Sequence, residues 1–235
     1  MKKYFAVALA MFTAATANAA LVGRDINGNA VTARDGSGML DPSAVFLYDN
    51  VLDVTWLRNA RASGELTWDQ ANSWVASLAI GNYGGWRLPT MIDTGAAGCD
   101  FASFGTDCGY WVQTKSGNLT QYERGQTVYS EMAHLFYVTL NSYVGLYQTG
   151  DFLLVPHRDT WFGLEYAPDP TMVWDFNPSD GSQGGPTAKT NHLHAMAVRD
   201  GDVAPAAVPE PQTLALVLLA LVAMVGAAAR RRKAA

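Results

Sequence analysis

An apolar run of about 17 residues, Thr213 to Ala229 (TLALVLLALVAMVGAAA), passes straight into Arg230, Arg231, Arg232 and Lys233. That length is at the lower limit for a helix that crosses a bilayer. Four adjacent cations resist translocation, so they are expected to stay in the cytoplasm and to stop transfer. Just upstream, Val208-Pro209-Glu210-Pro211 places two prolines around one acid. Neither proline can continue a helix, so this stretch is expected to stay extended and exposed, within reach of a processing enzyme at the membrane surface.

The opposite end carries the complementary signal. Lys2 and Lys3 precede an apolar stretch from Phe5 to Phe12, and Ala17-Asn18-Ala19 makes a small-x-small cleavage site. Residues 1–19 therefore read as a signal peptide, with the Sec translocon and signal peptidase as expected partners and Ala20 as the first mature residue. The apolar stretch is too short to serve as a membrane anchor.

Pro-Glu-Pro, an apolar helix and a terminal arginine cluster, in that order, resemble the PEP-CTERM sorting signal, over about the last 28 residues. The resemblance implies an exosortase as partner, a membrane enzyme of transpeptidase type found in Gram-negative bacteria that make extracellular polysaccharide. Pro209, Glu210 and Pro211 would then be a substrate site for that enzyme, and the catalytic residues would belong to the exosortase. The implied route is an inner-membrane-anchored precursor that is later moved to the cell surface or extracellular matrix. A plain single-span tail anchor is the simpler alternative.

Composition narrows the part between the ends. Six of the 16 basic residues and one of the 21 acidic residues fall in the targeting segments, which leaves residues 20–207 with 10 basic and 20 acidic residues, a formal charge of −10. Nucleic acid is excluded as a partner on that balance, because its affinity comes from cations that neutralise phosphates. Seven tryptophans and 49% hydrophobic residues are enough to build a core. Cys99 and Cys108 stand nine positions apart, and in an exported chain they are most simply a disulfide. A catalytic thiol or a metal-ligand pair is the rival reading, although two cysteines without CxxC spacing make a poor zinc site.

The expected fold class is α+β, with two helices and short mixed strands. Leu21–Val31 and Ala44–Leu57 read as strands, the second broken into a hairpin at Asp49-Asn50, with turns at Asn27-Gly28 and Asp35-Gly36. Thr67-Trp68-Asp69-Gln70 reads as a capping box that opens a helix running to about Ile80. Its expected face is Trp68, Ala71, Val75, Leu78 and Ala79. A second helix is expected from Ser130 to about Leu140, with Met132, Leu135 and Phe136 inward. His192–Arg199 reads as one final strand. Residues 204–212 form a linker that holds the Pro-Glu-Pro motif.

Several blocks share one further resemblance. They are Tyr48-Asp49 with Val54-Thr55-Trp56-Leu57, Thr67-Trp68 with Ala71-Asn72, Trp86-Arg87-Leu88-Pro89-Thr90, Ser130 to Phe136, and Ala197-Val198-Arg199-Asp200-Gly201. In that order they resemble the Lcl C-terminal-like family, long called a domain of unknown function. The resemblance assigns residues 20–203 to such an ectodomain and implies a C-type-lectin-like fold, with polysaccharide as a possible ligand. Phe162 to Ala167 departs from the family pattern, so no ligand contacts carry over there. Arg87 is expected to pair with a buried acid or to cap carbonyls, and Arg199 to form a structural ion pair.

Catalytic patterns are missing: Gly81-Asn82-Tyr83-Gly84-Gly85 lacks the Lys-Ser/Thr of a phosphate loop, and there is no GxSxG or HExxH. The chain is therefore expected to be a non-enzyme with no cofactor. Three weaker patterns remain. Trp161, Tyr166 and Trp174 are candidates for stacking on sugars. Asp175, Asn177 and Asp180, before Gly181, resemble an acidic calcium loop but miss the EF-hand spacing. His192 and His194, two apart, would share one side of a strand and could join His157 at a metal.

Overall fold

Phe46–Asp49 (β3) and Val54–Leu57 (β4) are buried at every position and pair antiparallel, Phe46 with Leu57 through Asp49 with Val54. The expected hairpin is therefore present. Its turn is closed by the Asp49 carboxylate, which accepts from Val51 N at 3.0 Å and Leu52 N at 3.1 Å, with Thr139 Oγ1 donating from across the core at 2.9 Å. In this computed structural model the described residues are 21–95, 97–99, 101, 107–113 and 130–205. The signal peptide, the Pro209-Glu210-Pro211 motif, the apolar run 213–229 and the Arg230–Lys233 cluster lie outside them.

Around the hairpin the first sheet adds Leu21–Arg24 (β1) and Ala30–Val31 (β2) on one side and Val198–Asp200 (β10) on the other, in the order β10-β4-β3-β1-β2, all antiparallel. The second sheet is mixed: Glu65–Leu66 (β5), Leu193–His194 (β9), Thr160–Glu165 (β6), Met172–Phe176 (β7) and Gln183–Ala188 (β8), in the order β5-β9-β6-β7-β8. Only β9 and β6 run parallel, meeting at the single pair Thr160 and His194. The architecture is α+β with mixed sheets, as expected.

The first helix, α1, spans Trp68–Ser77 with the full capping box: Thr67 accepts from Gln70 N while Gln70 Oε1 accepts from Thr67 N. It stops earlier than the expected Ile80, because Leu78 turns extended and its N–H reaches back to Val75 O. Ala71 and Val75 are buried, but Ala79 is exposed. Ser130 caps the second helix, α2 (Glu131–His134), through Ala133 N, and the chain then widens into a π-helical turn over Leu135–Thr139. Short π segments of this kind are rare and no sequence pattern signals them.

The expected strand His192–Arg199 is two strands in different sheets. Ala195-Met196-Ala197 carries the chain from β9 to β10, held by Ser63 Oγ at Ala195 and by Leu57 N on Ala197 O at 2.9 Å. All three residues are buried, so the apolar run marks a crossing through the core. Two clusters of side chains fill the interior. Trp56, Phe152, Phe162, Trp174 and Phe176 belong to one, and Phe46, Val75, Trp86, Leu88 and Trp161 to the other. Neighbouring residues on one strand, such as Phe46 and Leu47 or Trp161 and Phe162, enter different clusters, as the alternation of a strand requires.

The N-terminal hairpin closes over the exit of the chain. Arg24 Nε and Nη2 donate to Asp202, and Tyr83 Oη donates to Asn27 O. At Gly28, where φ is 84°, an added Cβ would lie 1.9 Å from Val203 O and 2.4 Å from Tyr83 Oη. Left-handed φ already costs a non-glycine residue about 1–2 kcal/mol, and here backbone blocks the space as well. Gly28→Ala is therefore expected to cost about 2–3 kcal/mol and to lower Tm by roughly 4–12 °C. An unchanged thermal melt would show that this contact does not hold the domain closed.

Candidate functional site

The Trp86–Thr90 block is structural. Arg87 exchanges backbone hydrogen bonds with Val198 at 2.8 and 2.9 Å, and its guanidinium grips both oxygens of Glu131 at 2.7 and 2.8 Å. It also reaches Asp200 Oδ1 at 2.6 Å. Bidentate pairing of this kind fixes direction as well as charge. The expected pairing of Arg87 with a buried acid is present, since Glu131 is 9% exposed. Arg199 differs from expectation. Its Nε donates to Gly84 O and its guanidinium lies 5.7 Å from the centre of the Tyr83 ring, so a carbonyl and an aromatic face hold it in place of an acid.

The three candidate sugar-stacking rings lie in the core. Trp161 and Trp174 are 0% exposed and Tyr166 4%. Their polar atoms are also spent internally: Trp161 Nε1 donates to Leu66 O, Trp174 Nε1 donates to Asp93, and Tyr166 Oη accepts from Gly98 N. None of them presents a free face. The aromatic payload of these strands goes into burial, which sequence position alone does not distinguish from display.

The acidic candidates are separated in the same way. Asp175 is buried in β7, with its carboxylate accepting from Thr187 Oγ1 on β8. Asn177 caps Ser179 N and Asp180 caps Ser182 N, both local turn bonds, and Gly181 packs against Phe136 and Tyr137 where any Cβ would collide. The Cys99–Cys108 disulfide is present, with Cα atoms 5.5 Å apart.

The histidines are brought together. His157, His192 and His194 line one cleft of about 300 Å³ with Glu65, Asp159 and Asn177. It opens where β5, β9 and the start of β6 meet the end of β7, and Arg158 stands at its wall. His194 is 4% exposed, with Nδ1 3.2 Å from Gly64 O. A carbonyl only accepts, so that partner places a proton on Nδ1. Nε2 lies 3.8 Å from Glu65 Oε1, beyond hydrogen-bond length. Burial, and then the charge of Asp180, push the Asp159 carboxyl up, against a lowering bond from Asn177. Among the described residues no group of three or more His, Cys, Asp or Glu side chains is placed to hold a metal ion. Glu65, Arg158 and Asp159 carried no sequence signal; the parallel contact of β9 with β6 assembles them.

Residues 207–233 match the PEP-CTERM protein-sorting motif. The match encloses Pro209-Glu210-Pro211, the apolar run and the Arg230–Lys233 cluster. It marks an exported protein targeted to an exosortase, with a membrane-anchored precursor bound for the cell surface. No curated protein and no solved structure matches the chain. Among the described residues no helix is long and apolar enough to cross a membrane.

Asp175 generates a pH-dependent prediction. Burial pushes its carboxyl up to about 6 from an ordinary 3.8. Between those values the folded chain holds a proton that the unfolded chain has released, so stability falls as pH rises from about 4 to 6. The cost at neutral pH is on the order of 3 kcal/mol. Asp175→Asn keeps an acceptor for Thr187 and removes the charge. It is expected to raise Tm at pH 7 by roughly 6–12 °C and to leave Tm unchanged near pH 4. Equal effects at both pH values in thermal melts would contradict the assignment.

Proposed function

We propose that this chain is a PEP-CTERM surface protein whose folded domain binds polysaccharide or another component of the surface or matrix. In this reading the Sec translocon exports it and signal peptidase removes residues 1–19. Residues 213–229 then anchor the precursor in the inner membrane, with Arg230, Arg231, Arg232 and Lys233 as the stop. Exosortase next acts at Pro209-Glu210-Pro211 and releases the domain to the cell surface or matrix. The observation that carries this reading is the sorting-motif match over residues 207–233.

The ligand class rests on a resemblance. The Lcl C-terminal-like blocks, which imply a C-type-lectin-like domain over residues 20–203, fall on the β3–β4 hairpin, the cap of α1, the Arg87 segment and β10. In this reading the domain is a binding module with no catalytic step and no cofactor. A second reading is a structural matrix protein with no specific small ligand, and the burial of Trp161, Tyr166 and Trp174 favours it, since the rings fill the core.

Glu210→Ala tests the sorting step. The substituted precursor is expected to remain uncut in the membrane fraction, detected by the mass of the intact tail, while the domain melts as in the wild type. Unchanged tail cleavage and surface delivery would overturn the sorting reading.

A further inference from the structure

We infer that the cleft between β5, β9 and β6 is the ligand site of the domain, and that it takes a neutral, polyhydroxylated sugar residue. The inference rests on the polysaccharide reading above and goes further, giving a place and a charge class. About 300 Å³ falls at the lower end of the range for small-ligand sites.

The wall supplies both kinds of hydrogen-bonding group. Glu65 and Asp159 accept, Arg158 donates, and Asn177 does both. A sugar hydroxyl also donates and accepts, so a mixed wall suits it better than it suits a simple ion. His194 lines the same cleft. Its ring is 96% buried and fixed by the Gly64 carbonyl, and Nε2 faces Glu65 across a gap too long for a hydrogen bond.

Charge decides the class. A sulfated or phosphorylated ligand calls for several guanidinium or ammonium groups. The cleft has only Arg158 against the carboxylates of Glu65 and Asp159, with Asp180 close enough to raise Asp159. A polyanion would be repelled, and a neutral sugar would not.

The test is a glycan array of neutral oligosaccharides and their sulfated counterparts, probed with the full-length chain in detergent, alongside Glu65→Gln and His192→Ala. Both positions are exposed, so neither substitution threatens the core. The wild type is expected to bind neutral glycans, and each variant to lose about tenfold or more in affinity with an unchanged Tm. If both variants bind as the wild type does, the domain binds sugar elsewhere and the cleft assignment is wrong. Binding confined to sulfated glycans overturns the neutral class. No binding of the wild type to any glycan removes the polysaccharide reading itself.

Discussion

The Glu131 carboxylate organises the centre of this domain. One oxygen takes Arg87 Nη2, and the other takes both Arg87 Nη1 and Thr90 N. Through those bonds the start of α2 is locked to the Trp86–Thr90 segment. That segment is itself paired with β10 by the Arg87 backbone and with β6 by Gly163 N on Pro89 O. One buried acid therefore joins both sheets and a helix. Breaking a buried pair costs more than forming it gains, because the surviving charge is left without compensation. The Arg-Leu-Pro-Thr order then follows: Arg87 reaches the acid, Leu88 enters the core, and Pro89, which has no N–H, offers only its carbonyl.

The second device is the crossing at Ala195-Met196-Ala197. It lets one run of eight residues close the parallel contact of the second sheet and the free edge of β4 in the first. His194 owes its position to this crossing, as does the whole polar cleft. Arg58 plays a similar part at the end of β4. It is 2% exposed, and it donates to the carbonyls of Leu40, Asp41, Ala44 and Asp151, drawing two loops onto the hairpin.

Local signals were legible in the sequence. The Asp49-Asn50 break, the Thr67–Gln70 box and the start of the second helix near Ser130 each depend on neighbours a few residues apart, and each stands close to where the pattern puts it. What depends on distant partners was not legible. The run His192–Arg199 reads as one strand because alternation does not report which sheet a strand joins. Trp161, Tyr166 and Trp174 looked available for stacking because an aromatic residue is the same letter whether buried or displayed. Asp175 looked like a calcium ligand because its burial between β6 and β8 comes from pairing across the sheet. The histidine cleft was half visible: His157, His192 and His194 could be named, but Glu65 and Asp159 reach them only through tertiary pairing.

The closure of the N-terminal hairpin over the exit bears on how such a chain is delivered. Arg24 and Gly28 stand near the start of the domain, and their partners Asp202 and Val203 near its end. A polypeptide threaded through a membrane pore from its N-terminus emerges with that hairpin first and its counterpart nearly 180 positions later. Until then β4 lacks β10 at its edge, and the hairpin has β3 and Tyr83 but not the exit segment to pack against. Completion of the domain therefore waits on the arrival of Asp202 and Val203.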